Sequence, residues 1–415
     1  VSAVPARWRR ALWLLALLSI ALTAWLLQPQ RGGPLLLTTL GRTLDLELDA
    51  TALDYRLRGT PQLTLDGLVV HRPGDPQPLL RVRRVYLALP WHTLLHGNQA
   101  LRLRRLELDA PVLNLPALQR WLASRPAGAL RLPRLDDGLR VQNGRIDAGA
   151  RHLDQIDLDL PRLDPTQYSR LLLLARYRDT DAGLAIPARL VVTLDSPQAL
   201  LAGRPAQLTV EGWLTPTASD WRLPMAVHVA GSLVLADGSL KLAPARLGLA
   251  GRYLAAAQVL PFRLGVNGSL DLDQQGMRLM PFVLRLYGDT AVPDLTAQGR
   301  LIVASHLQVQ LQGMLADWPP AWPPLPSPLA TSRAPLPFTL NYVGAADLSA
   351  PLTLTLRRDA TQLQTRLAWP HLQTWLQAPG TGSPLPPLDG WLSAPTLEIE
   401  GIRLEGVELR IKDTP

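Results

Sequence analysis

Residues able to do chemistry are few in this chain, and their spacing does not bring them together. His92 and His96 stand four apart and could share one helix face, as zinc ligands do. Thr93, Leu94 and Leu95 between them supply no general base, and no third ligand is apparent. Asp271, Asp273 and Gly276 suggest the start of a calcium loop, but Phe282 stands where a bidentate Glu is required. Lys241 and Lys412 are the only lysines, and neither sits in a Gly-rich phosphate loop. Gly231-Ser232, Gly268-Ser269 and Gly382-Ser383 lack the flanking glycine of a nucleophile elbow. Asp157 and Asp159 fall on one face of a strand; they and Asp45, Asp49, Glu107 and Asp109 read as a solvated surface. The chain has no cysteine, which excludes disulfides, thiolate metal sites and cysteine nucleophiles. The expectation is a protein that is not an enzyme, with no catalytic residue, no cofactor and no metal.

The elements that carry these residues follow a period of two. Leu44, Leu46 and Leu48 alternate with Thr43, Asp45, Glu47 and Asp49, and Leu208 and Val210 alternate with Gln207, Thr209 and Glu211. Leu307, Val309 and Leu311 are set between glutamines; Leu352, Leu354 and Leu356 between Thr353, Thr355 and Arg357. Leu397 and Ile399, then Val407, Leu409 and Ile411, repeat the pattern near the end. Such alternation marks strands with one wet and one dry face. Asp66-Gly67, Asn98, Asn143-Gly144, Asp237-Gly238, Asn267-Gly268 and Gln275-Gly276 read as turns between them. The result is a mainly β chain forming a largely antiparallel meander. Short amphipathic turns are expected at Trp91–His96, Leu118–Ser124 and Leu372–Gln377, with Pro116 tolerated in a first turn. The apolar run Leu171–Ala175 reads as a buried strand.

Ala11–Leu27 is a stretch of seventeen residues without a formal charge, preceded by Arg7, Arg9 and Arg10. At about 1.5 Å per residue it is at the short end for a membrane span. Leu14, Leu17, Leu18, Ile20 and Leu22 would face lipid, with Trp8 and Trp25 as interfacial anchors. The arginine bias puts residues 1–10 in the cytoplasm, so residues from 28 onward would be exported. Nothing after the run offers a small-x-small cleavage site, and an uncleaved single-pass anchor is expected rather than a signal peptide.

The formal charge is +8, almost wholly from arginine, and falls to about +5 once the three N-terminal arginines are set aside. No basic stripe with interleaved aromatics is present in the sequence, which argues against nucleic acid. A mild positive balance suits anionic headgroups better. Between Asp317 and Pro337 eight of twenty-one residues are proline. A sheet cannot run through such a stretch without losing ladder bonds. It reads as an exposed connection (317–337) between a main β domain (28–316) and a C-terminal β segment (338–415); Pro379–Pro387 is similar but shorter.

Strands with one dry face need something to cover them. A second sheet is the default; acyl chains in a long curved sheet are the alternative. Here a resemblance bears on the choice. Leu63–Leu115 resembles the N-terminal region of the AsmA family of envelope proteins. A strand closes on Asp66-Gly67-Leu68-Val69-Val70, followed by a polar turn at Arg72–Pro78. Leu79–Leu89, the Trp91–Gly97 turn and Leu106–Leu113 complete it. Leu139–Ile146 with Leu153–Leu160, and Leu397–Ile411 with Gly401 and Gly406, are similar too. The match rests on apolar positions and glycines and carries no catalytic signature.

The resemblance implies an inner-membrane-anchored periplasmic protein of a Gram-negative bacterium, in outer-membrane biogenesis. It also implies lipid transport, with phospholipid in a hydrophobic groove and other envelope-assembly proteins as possible partners. About twenty strands at roughly 4.8 Å spacing span at most about 100 Å, short for bridging an envelope unaided. The expected fold is therefore an N-terminal transmembrane helix followed by a long, curved, taco-like β-sheet with a few short helices. Leu46, Leu48, Leu65, Val69, Val85, Leu87, Leu106 and Leu108 are the expected groove residues. The alternative is a structural accessory of an assembly or secretion machine, with a closed β core and no lipid.

Overall fold

The computed structural model describes residues 41, 45–91, 93, 102–124, 131–236, 238–255, 258–273, 275–289, 291–322, 329, 334–345, 347–368, 389–399 and 402–411. Strands make up 68% of them, so the mainly β expectation holds. The anchor residues Trp8, Leu14, Leu17, Leu18, Ile20, Leu22 and Trp25, the pair His92 and His96, and the turn at Leu372–Gln377 lie outside the described residues. No helix among the described residues is long and apolar enough to cross a membrane. The chain divides into two compact units, Val1–Ala185 and Ile186–Pro415. The division falls near Ala185, not at the proline-rich 317–337 segment.

In the first unit, β1 (Glu47–Asp49) and β2 (Ala52–Arg56) lie end to end along β3 (Gln62–His71), which pairs with β4 (Leu80–Ala88). Beyond a short β5 (Arg102–Leu103), β6 (Arg105–Asp109) and β7 (Val112–Asn114) run along the other edge of β4. Helix α1 (Leu115–Ala123) follows, then β8 (Arg134–Leu135), β9 (Leu139–Ala148), β10 (Arg151–Leu160) and β11 (Ser169–Asp179). The Asn114 carboxamide caps α1 by accepting from Ala117 N at 3.0 Å, and Pro116 stands in its first turn, as expected. The helix is a crossover, so β9 joins β6 and β7 in parallel; β10 and β11 continue antiparallel. A second parallel pair, β5 with β8, stands apart as its own small sheet. The meander is therefore antiparallel except at these pairings.

Asp66-Gly67 and Asn143-Gly144 are not turns: both lie inside ten-residue strands. Gly67 has φ +63°, and a Cβ there would strike the Thr51 hydroxyl. Register places Gly67 opposite Arg83, Arg83 opposite Ala110, and Ala110 beside Asn143; Ala110 and Asn143 are left-handed too, at φ +47° and +50°. A left-handed residue inside a strand slips the alternation by one. Inward side chains are thus three apart at Leu65 and Leu68, and again at Val82 and Val85. Leu171–Ala175 is a strand but is not buried on both faces: Leu172 and Leu174 are exposed opposite Asp159 and Asp157.

The second unit opens with β12 (Leu184–Leu194), α2 (Pro197–Leu201), β13 (Ala206–Leu214) and the two-residue β14 (Trp221–Arg222). Four long strands follow: β15 (Met225–Ala236), β16 (Ser239–Ala255), β17 (Gln258–Asp273) and β18 (Gly276–Gly288). Then come β19 (Leu295–Val303), β20 (Leu307–Leu315), β21 (Leu336–Gly344), β22 (Pro351–Arg358), β23 (Thr361–Ala368), β24 (Asp389–Ile399) and β25 (Ile402–Ile411). Except for β14, which pairs on the end of β16, each strand from β13 on pairs antiparallel with its predecessor. Gln275-Gly276 is a turn as expected, whereas Asn267-Gly268 lies within β17.

β16 and β18 each carry one extra residue against both neighbours, around Pro244 and Pro281, whose preceding peptide bonds are cis. Gly231 and Gly268 stand beside these bulges because a Cβ would meet the proline carbonyls. The proline-rich connection joins two paired neighbours, β20 and β21, so the sheet does not end there. Nor is it wholly exposed. Leu329 is fully buried against Leu315, Leu336, Phe338 and Leu356, and the Arg358 guanidinium donates to its carbonyl.

Candidate functional site

The eight groove residues expected from sequence lie in the first unit, and the structure brings seven onto one face. Leu46, Leu48, Leu65, Val85, Leu106 and Leu108 share a packed core with Leu68, Val70 and Val82; Leu87 and Leu106 also pack in a second core around Leu103, Leu135 and Leu160. Leu65 and Val85 are buried at 7% exposure each. These residues fill space among themselves. Val69 belongs to the other face: it pairs with Arg81 and Asp49, because Gly67 shifts the alternation.

The second unit holds an apolar row that sequence reasoning did not assemble. Val192 faces Val210, which faces Val229, then Leu247, Val266, Leu284, Ala297, Gly313, Phe338, Leu356, Leu363, Leu392 and Leu409. Thirteen strands contribute one residue each, and none is polar. At roughly 4.8 Å per strand the row runs about 58 Å. A parallel row joins Leu190, Gly212, Val227, Leu249, Leu264, Leu286, Leu295, Leu315 and Leu336. The next row on the opposite face reads Thr193, Thr209, Ala230, Arg246, Asn267, Val283, Gln298, Gln312, Thr339, Thr355, Gln364, Trp391 and Arg410. The alternation that was legible in single strands thus becomes two opposed surfaces.

The apolar face is not closed evenly. Over β19–β23, Ala297, Leu315, Phe338 and Leu356 are buried beneath Leu329 and Trp318. Over β12–β18, Leu190, Val192, Val210, Val229, Leu247, Leu249, Leu264, Leu284 and Leu286 are only half-buried, with Val227 and Val266 the buried members. Leu240 and Leu272, beyond the bulges, are exposed. This open aliphatic surface is the candidate site. Its chemistry is that of a surface for apolar chains: it bears no donor, acceptor or charge along the two rows.

The polar candidates resolve into structural roles. Asp273 accepts from Gln275 N at 2.7 Å and Gly276 N at 3.0 Å, shaping the turn, and Arg278 pairs with both Asp273 and Asp271. Those backbone bonds, Gln275 first, hold the Asp273 carboxyl below its ordinary range. The Asp157 carboxylate accepts from Asn143 N at 2.8 Å, satisfying the bulge. Among the described residues no group of three metal-ligating side chains occurs. Comparison of the chain with known protein families, curated proteins and solved structures finds no match.

Proposed function

We propose that this chain is a non-enzymatic, lipid-handling protein of outer-membrane biogenesis. It would be held at the inner membrane by Ala11–Leu27 with its β units in the periplasm, as its resemblance to the AsmA family implies. The observation that carries the reading is the row from Val192 to Leu409, free of polar side chains and left half-open over β12–β18. Water is a poor partner for that surface, and acyl chains are a good one. Each methylene laid against it gains about 0.8 kcal/mol at full burial. The site proposed for phospholipid tails is thus the second unit's face, around Leu247, Leu249, Leu264 and Leu286, rather than the packed leucines of the first. The closed cores elsewhere favour the alternative, an assembly accessory with no lipid, for the first unit alone.

The test is to purify the full chain in mild detergent, extract it with organic solvent and analyse the extract by mass spectrometry. Phospholipid in stoichiometric amount is expected, and Leu247→Asp with Leu264→Asp should remove most of it while the circular-dichroism melt stays in place. Protein free of lipid, or lipid indifferent to both substitutions, overturns the reading.

A further inference from the structure

The opposite, polar face of the second unit holds a second surface. Arg252 on β16 faces Pro261; two residues along β17, Arg263 faces Tyr287; two residues along β18 stands Arg285. Each step is a diagonal neighbour, about 7–8 Å. All three arginines are exposed, as are Arg189 and Arg246 on the same face. None of the five makes an ion pair among the described residues. Carboxylates on this face have cationic neighbours: Glu211 lies 3.2 Å from His228 Nδ1, and Asp271 and Asp273, farther along β17, both pair with Arg278.

Aromatic residues frame the arginines. One register row reads Arg189, Trp213, Ala226, Ala250, Arg263 and Tyr287, with Trp213 62% and Tyr287 49% exposed. Val283 and Met314 in the adjoining rows are about as exposed. The row from Trp213 to Tyr287 crosses five strands, about 19 Å. It is a broad patch on strand faces, not a sheet edge. Exposed Trp and Tyr with apolar bodies and polar tips, interspersed with unpaired arginine, match the headgroup level of a bilayer.

We propose that this face of β13–β18 docks on an anionic lipid bilayer, with Arg252, Arg263 and Arg285 at the phosphates and Trp213 and Tyr287 among the headgroups. This concerns the other face of the strands and does not rest on the lipid-carrying reading; its test rests only on the proposed anchor, Ala11–Leu27, whose failure would show as lack of reconstitution before any vesicle is added.

The test uses the full chain reconstituted through its own apolar segment in neutral phosphatidylcholine nanodiscs. Capture by added vesicles is followed by flotation, with phosphatidylcholine alone or mixed with phosphatidylglycerol. Capture is expected with the mixed vesicles only and should weaken with salt. Each arginine contributes about fivefold near such a surface, so Arg252→Glu with Arg263→Glu and Arg285→Glu should lower capture by at least about a hundredfold. The control, Arg83→Glu with Arg84→Glu in the first unit, should leave capture unchanged, and near-ultraviolet circular dichroism monitors folding of both variants. Equal capture by both vesicle types, or full capture by the triple variant, overturns the proposal. So does absence of capture with binding of polyglutamate instead, which would point to an acidic polypeptide.

Discussion

The two units differ in how many of their arginines lie against carboxylates. In the first, arginines lie against carboxylates: Arg83 on Asp109, Arg84 on Asp66, Arg102 on Asp136, Arg104 on Asp137, Arg151 on Asp179 and Arg178 on Asp154. In the second, Arg278 pairs with Asp271 and Asp273, while Arg252, Arg263 and Arg285 make no ion pair among the described residues. Their apolar faces differ too. The first packs Leu65, Val82 and Val85 into a core; the second leaves Leu249, Leu264 and Leu286 half-open across its first strands. Equal patterning in sequence therefore does not mean equal use. The first unit closes its leucine core, whereas over β12–β18 the second leaves an aliphatic face half-open and exposed arginines on the other, the two surfaces proposed above to meet lipid.

Substitutions separate the two regimes, and the largest effects belong to closed cores. Val82→Asp buries an uncompensated carboxylate at a site 2% exposed and should unfold the first unit, seen as loss of its protected amides in hydrogen exchange. Leu356→Ala, inside the closed part of the second unit, should cost about 2–5 kcal/mol in denaturant unfolding. Leu264→Ala, on the open stretch of the same sheet, should cost less than about 1.5 kcal/mol. Equal costs at Leu356 and Leu264 would erase the distinction between closed and open face.

Acid should sharpen the contrast. Asp136 is held below its ordinary range first by the Arg102 hydrogen bond, Asp164 by Thr166 N and Asp179 by Ala182 N. A depressed carboxylate contributes stability that is full above its unfolded value, about 3.9, and is lost as pH falls through the folded value. Amide protection in β9–β11 should therefore decline below about pH 4 before it does in β19 and β20. The smallest effect is expected at Arg83→Ala, whose exposed pair with Asp109 should be worth about 0.2–1 kcal/mol in a double-mutant cycle with Asp109→Ala.

Particular elements show how far the sequence could be read. The short helix expected at Leu118–Ser124, the turn at Gln275-Gly276 and the alternation of Leu307, Val309 and Leu311 were legible because each depends on residues close in the chain. Val69 was not, since its face depends on Gly67 adopting a left-handed conformation in mid-strand rather than making a turn. Leu172 and Leu174 read as buried from composition, yet they face outward opposite Asp159 and Asp157. The proline-rich 317–337 stretch read as a divider, but β20 and β21 pair across it and Leu329 enters the core.

By itself the chain determined the strands, the two opposed faces on each and the lack of thiol chemistry. These follow from local dihedral preference and residue type, which need no distant partner. Only the tertiary structure decided which residues share a row, where left-handed and bulged positions slip the alternation, and which stretch of oily face is covered. Those depend on register between strands and on what packs above them, and no periodicity within one strand encodes either.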